Sequence, residues 1–211
     1  MEENFNYGYI YIAFLVTNTN MGKLIRLFTR NQFSHVTLAF ERDLKHMYSF
    51  ARYHINSPIS GGFVIEGPGR YLHDNNDVTV KLCRIPVTKD EYDRILNEVA
   101  YFRKNREDMI YNTVNAALSI LGKQVSMKNA YTCLEFVTYL LRFTDIFAIR
   151  ELERRLQKYV IYCGSLRNIT KCEQLDKEEH DYFIKRHKVG VFLDTVGHFS
   201  KIATRLRVAD K

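Results

Sequence analysis

The spacing of apolar residues changes near residue 88, from the two-residue period of strands to the longer period of helices. Residues 7–17, YGYIYIAFLVT, are almost unbroken apolar, aromatic and β-branched, the pattern of a central strand covered on both faces. Residues 21–30 place Leu24, Ile25, Leu27 and Phe28 on one stripe with Lys23, Arg26 and Arg30 outside it, which predicts a short amphipathic helix. SHVTLAF (34–40) alternates, and MYSFAR (47–52) follows after the turn-like ERDLKH, so the two predict an antiparallel hairpin. Gly61, Gly62, Gly67, Pro68 and Gly69 punctuate a short FVIE strand, and DVTVKLCRIPV (77–87) completes a β-rich half of four or five strands.

Thr88 to Glu91 then has the capping-box spacing, and Tyr92, Ile95, Leu96, Val99 and Phe102 recur one helical turn apart. A second helix is expected over 112–121, ended by Gly122. A third lies within NAYTCLEFVTYLL (129–141), with Asn129 or Ser126 as its cap. Residues 148–159 and 189–207 predict two more, the last with Val191, Phe192, Thr195, Phe199 and Ile202 along one side. Together these predict an α+β chain: one domain over 1–142, and a helical extension over 143–211 packed on it.

With 211 residues, 46% hydrophobic and 26% charged, the chain can bury a full core without metal or disulfide staples. Glutamates near the N-terminus stand where a secretory signal would be basic, and the first apolar run is too short to span a bilayer. Cys83, Cys133, Cys163 and Cys172 lack paired metal spacing, so they are expected to be reduced thiols in a cytoplasmic protein, with no metal or cofactor. The net charge of +7 is interleaved with acidic residues and no groove-reading motif accompanies it, so nucleic acid is not an expected partner. A membrane surface is compatible with that charge but not required by it.

The residue that stands out is Cys133. A thiol in the first turns of a helix lies beside unpaired amides that favour the thiolate, although a small core cysteine packing on Val137 and Leu140 would look the same in sequence. The thiolate needs a base. Six of the seven histidines fall in turns, loops, charged stretches or the last helix, whereas His35 opens a strand, on a face it shares with Thr37 and Ala39. A lone strand histidine can equally be a hydrogen-bonded structural residue.

SHVTLAF, followed by a second strand and, about a hundred residues later, YTCLEFV, resembles the circularly permuted papain-like branch of the NlpC/P60 superfamily, the YaeF/YiiX-like group. In that group histidine precedes cysteine in the chain, and the strand and helix before "SHV" match YIYIAFLVTNTNMGKLIRLFTRNQFSHV here. The likeness covers about residues 7–142. It implies a permuted papain-like core, a small antiparallel sheet bearing His35 packed against a helix bearing Cys133. It further implies a cysteine-dependent hydrolase that cleaves an amide, or an ester, of a peptide-like or lipid-like acyl substrate through a thioacyl intermediate. By carry-over Cys133 is the nucleophile, His35 the base, and the Cys133 amide, helped by Tyr131, holds the oxyanion. Relatives orient the imidazole with a polar side chain on the following strand. Here Ser49 is the expected third residue, with Arg52 and Glu66 as substitutes. Gly61 and Gly62 could form a rim over the substrate, and Glu135 reads as a surface or capping carboxylate. Acyl transfer on the same fold, and a non-catalytic lipid- or peptide-binding module, are the alternatives.

Overall fold

In a computed structural model, residues 7–16, 32–118, 125–171 and 175–209 are described. The expected helix over 21–30, Gly122 and Cys172 lie outside them. Eight strands run β1 Tyr7–Leu15, β2 His35–Ala39, β3 Met47–Arg52, β4 Gly61–Glu66, β5 Thr79–Thr88, β6 Ile110–Tyr111, β7 Ala130–Tyr131 and β8 Val160–Ser165. The seven α-helices among the described residues are α1 Gly69–Leu72, α2 Lys89–Lys104, α3 Thr113–Leu118, α4 Cys133–Leu140, α5 Ile149–Arg155, α6 Lys177–Phe183 and α7 Lys188–Ala209. The chain is α+β.

Six strands form one sheet in the order β4-β3-β2-β1-β5-β8, every neighbouring pair antiparallel. The density of β-branched and aromatic residues in β1 suits its central place. Ile10, Ile12 and Phe14 enter one core, Ala13 and Leu15 the other, and all five are inaccessible to solvent. On the first face α2 and α4 cover the sheet. Phe50 and Phe63 meet Phe102 of α2 and Phe136 of α4, every pair of ring centroids lying 5.2–6.0 Å apart. Such aromatic pairs, edge-on or tilted except for the stacked Phe63 and Phe102, add about 0.5–1.5 kcal/mol each beyond their buried area. Helix α2 starts as its sequence says, with Thr88 Oγ1 accepting from the Glu91 amide, and buries Ile95, Val99 and Phe102, whereas Leu96 stays exposed.

The segment after residue 142 is not only helical. Val160–Ser165 adds β8 as an edge strand on β5, and Leu166 drops into the second core. Helix α6 packs against α1 and β4. Among the described residues no helix is long and apolar enough to cross a membrane.

Candidate functional site

The cysteine helix starts at Thr132, not at Asn129 or Ser126. Thr132 Oγ1 accepts from the Glu135 amide at 3.1 Å and Glu135 Oε2 accepts from the Thr132 amide at 2.7 Å, a full capping box. Asn129 instead takes a left-handed backbone, and its carbonyl accepts from Ile110 and Arg205. The T-x-x-E spacing of Thr132 and Glu135 was available in the sequence. Cys133 is therefore the first helical residue, its sulfur beside the positive end of the helix, and it is 6% exposed. Glu135 serves as the capping carboxylate.

His35 begins β2 opposite Leu15 and is 7% exposed. Its Nε2 meets Glu66 Oε2 at 2.8 Å, which leaves Nδ1 to serve the Cys133 thiol, whose interaction with the ring also raises the His35 pKa. Burial works against a charge on this ring, but the Glu66 carboxylate and then Cys133 outweigh it and hold the His35 pKa up at about 10. Glu66 is 1% exposed. Burial pushes its pKa up, but His35 and Arg70, with hydrogen bonds from His35 and Tyr71, bring it down to about 2. Tyr71 donates to Oε2 at 2.9 Å and Arg70 Nη1 lies 3.3 Å from Oε1, so the carboxylate is held on both oxygens.

Ser49 does not touch the ring. The ladder between β2 and β3 consists of Leu38 with Tyr48 and Ala39 with Met47. Toward His35 the Ser49 side chain takes over, donating to the Val36 carbonyl at 3.0 Å. Its hydroxyl is spent on the backbone. Arg52 is likewise engaged elsewhere, with the carbonyls of Ile55 and Ser57 and the Tyr182 hydroxyl.

Tyr131 also departs from its expected place. Its ring packs on Phe50, Phe102 and Tyr139 in the aromatic core. The phenol near the sulfur is Tyr111, on the parallel neighbour of Tyr131 in the β6–β7 ladder. Burial, Cys133 and then Glu135 all raise the Tyr111 pKa, so the hydroxyl stays protonated and able to donate. Gly61 and Gly62 are buried strand residues rather than a rim. A Cβ on Gly61 would strike the Ala51 carbonyl at 2.3 Å, and one on Gly62 the Met109 carbonyl at 2.5 Å, so both are small because backbones approach closely there.

Comparison with protein families, with curated proteins and with solved structures gave no match. The site is thus read from its own geometry.

The C-terminal segment braces that geometry. Arg70 stacks on Tyr182 of α6 at 3.8 Å and donates to the Arg52 carbonyl at 2.7 Å, while its own amide donates to Glu179. Glu66 is thereby positioned through Arg70 by an element more than a hundred residues further along the chain. The other thiols are set apart. Cys83 is buried, and burial pushes its pKa up to about 12; Cys163 lies exposed on β8.

Proposed function

We propose that the chain is a cysteine-dependent hydrolase with a permuted papain-like core, cleaving an amide or ester of a peptide-like or lipid-like acyl substrate. One observation carries this reading: His35 stands between Cys133, at the start of a helix, and the buried Glu66 carboxylate, which its Nε2 meets at 2.8 Å. At neutral pH His35 holds a proton, and an imidazolium beside a sulfur favours the thiolate. In the proposed reaction Cys133 sulfur attacks the carbonyl carbon, His35 gives its proton to the leaving group, and the thioacyl enzyme is then cleaved by water that His35 deprotonates. The Cys133 amide and the Tyr111 hydroxyl are the donors for the oxyanion. Glu66 holds the ring in one tautomer and stabilises its charge.

The test is intact-mass analysis after exposure to an acyl-fluoride probe. An acyl adduct on Cys133 that Cys133→Ala abolishes supports hydrolase chemistry. Labelling of Cys163 or Cys172 instead rejects it.

The depth of the thiol and imidazole favours a second reading on the same residues, acyl transfer to an amine or lysolipid, because a dry site spares the thioacyl intermediate from water. Added amine acceptors that divert product from free acid distinguish it. The Glu66 carboxylate on the His35 ring supports catalysis over a binding module on the same fold.

A further inference from the structure

Helix α7 presents two opposite faces, and they do not divide as its sequence suggests. His198 and Ile202 are buried against the body of the protein, Ile202 among Ile110, Met127 and Ala130, and Arg205 donates to the carbonyls of Asn129 and Asp108. Phe192 and Phe199, expected on the same side as Ile202, point the other way. With Val189, Leu193 and Val196 they form a stripe in which every side chain is 50–64% exposed. At helical spacing 189, 192, 193, 196 and 199 share one face about 15 Å long.

The rim of that stripe is basic. Lys185 and Lys188 are exposed at its N-terminal end, whereas Asp194, the acid of this helix, is paired with Arg186 at 3.2 Å. A second copy of the chain laid on this face would bring together two molecules that each carry +7. An anionic bilayer offers both complements, acyl chains for the phenylalanines and leucine and phosphate headgroups for the lysines. We infer that α7 is an interfacial helix that seats the protein on an anionic lipid surface. This docking stands apart from the reaction proposed above and does not require it.

The test is co-sedimentation of the full chain with vesicles of phosphatidylglycerol and phosphatidylcholine, and with phosphatidylcholine alone. The wild type should bind the anionic vesicles at least about tenfold more tightly than the neutral ones. Phe192→Glu with Phe199→Glu should lower binding about tenfold or more with far-UV circular dichroism unchanged, and Leu193→Ser gives the same direction should the double variant not fold. Lys185→Glu with Lys188→Glu should remove the preference for anionic lipid. Wild type that ignores both vesicles, apolar-face variants that bind as well as wild type, or a wild-type dimer that the phenylalanine variant dissociates would each overturn the inference.

Discussion

His35 Nε2 and Glu66 Oε2 lie 2.8 Å apart, 31 residues distant in the chain and both removed from solvent. A buried carboxylate on the far nitrogen of an imidazole fixes which nitrogen faces the thiol, and it does so here with Tyr71 and Arg70 completing the carboxylate's hydrogen bonds. Glu66→Gln should therefore lower turnover of any substrate by about 10²–10⁴-fold, and Glu66→Ala, which strands Arg70 and His35, should also cost about 3–5 kcal/mol of stability. Ser49→Ala separates the roles. It leaves the Val36 carbonyl without its donor and should cost about 1–3 kcal/mol in urea unfolding, with the rate of the intact enzyme nearly unchanged.

The same pair sets a stability profile in pH. His35 has its folded pKa raised to about 10, so its contribution is complete below the ordinary histidine value of 6.5 and is lost as pH rises toward about 10. Glu66 has its folded pKa lowered to about 2, so its contribution is complete above the ordinary 4.5 and is lost as pH falls toward about 2. Urea midpoints measured across pH should form a plateau between those two ordinary values and decline on either side. In His35→Ala the alkaline decline should flatten.

Tyr111 and Tyr131 are neighbours in one ladder with different surroundings, one electrostatically coupled to Cys133 and the other within the aromatic core. In the proposed reaction Tyr111→Phe should lower kcat about 10²-fold or more with little effect on thermal stability, because Tyr111 is the proposed donor to the oxyanion. Tyr131→Phe should leave kcat close to wild type, and Tyr131→Ala should act through loss of core packing, about 3–5 kcal/mol as for other large aromatic deletions.

Much of the sheet was legible because alternation in 34–40 and 47–52 marks the two strands, although β2 is buried on both faces and burial along β3 does not alternate. The thiol and the imidazole were legible because each sits at the mouth of an element. The carboxylate was harder. Ser49 shares a strand with the expected face, and nothing in its neighbourhood announces that the β2–β3 ladder stops short and claims its hydroxyl for Val36. Tyr111 was hidden for a related reason, since β6 and β7 are two residues long and their parallel pairing joins segments 20 positions apart, with no periodicity to betray it. The cap at Thr132 was a readable signal passed over for Asn129. In α7 the apolar residues are too evenly spread around the helix for spacing to say which side docks; burial of His198 and Ile202 decides it.

Thr132 and Glu135 orient the first turn that carries the sulfur. Thr132→Ala should cost about 1 kcal/mol in thermal or urea unfolding, and by loosening the first turn it should slow alkylation of Cys133. Thr132→Ser, which keeps the acceptor oxygen, should restore both.

The most direct measurement is the pH dependence of iodoacetamide alkylation at Cys133, followed by intact mass in a chain carrying Cys163→Ser and Cys172→Ser. Coupling between sulfur and imidazole predicts labelling that is faster in the wild type than in His35→Ala and whose dependence on pH changes when the ring is removed, with Glu66→Gln between the two. A labelling curve that follows ordinary free cysteine and is the same with and without the His35 ring would contradict it.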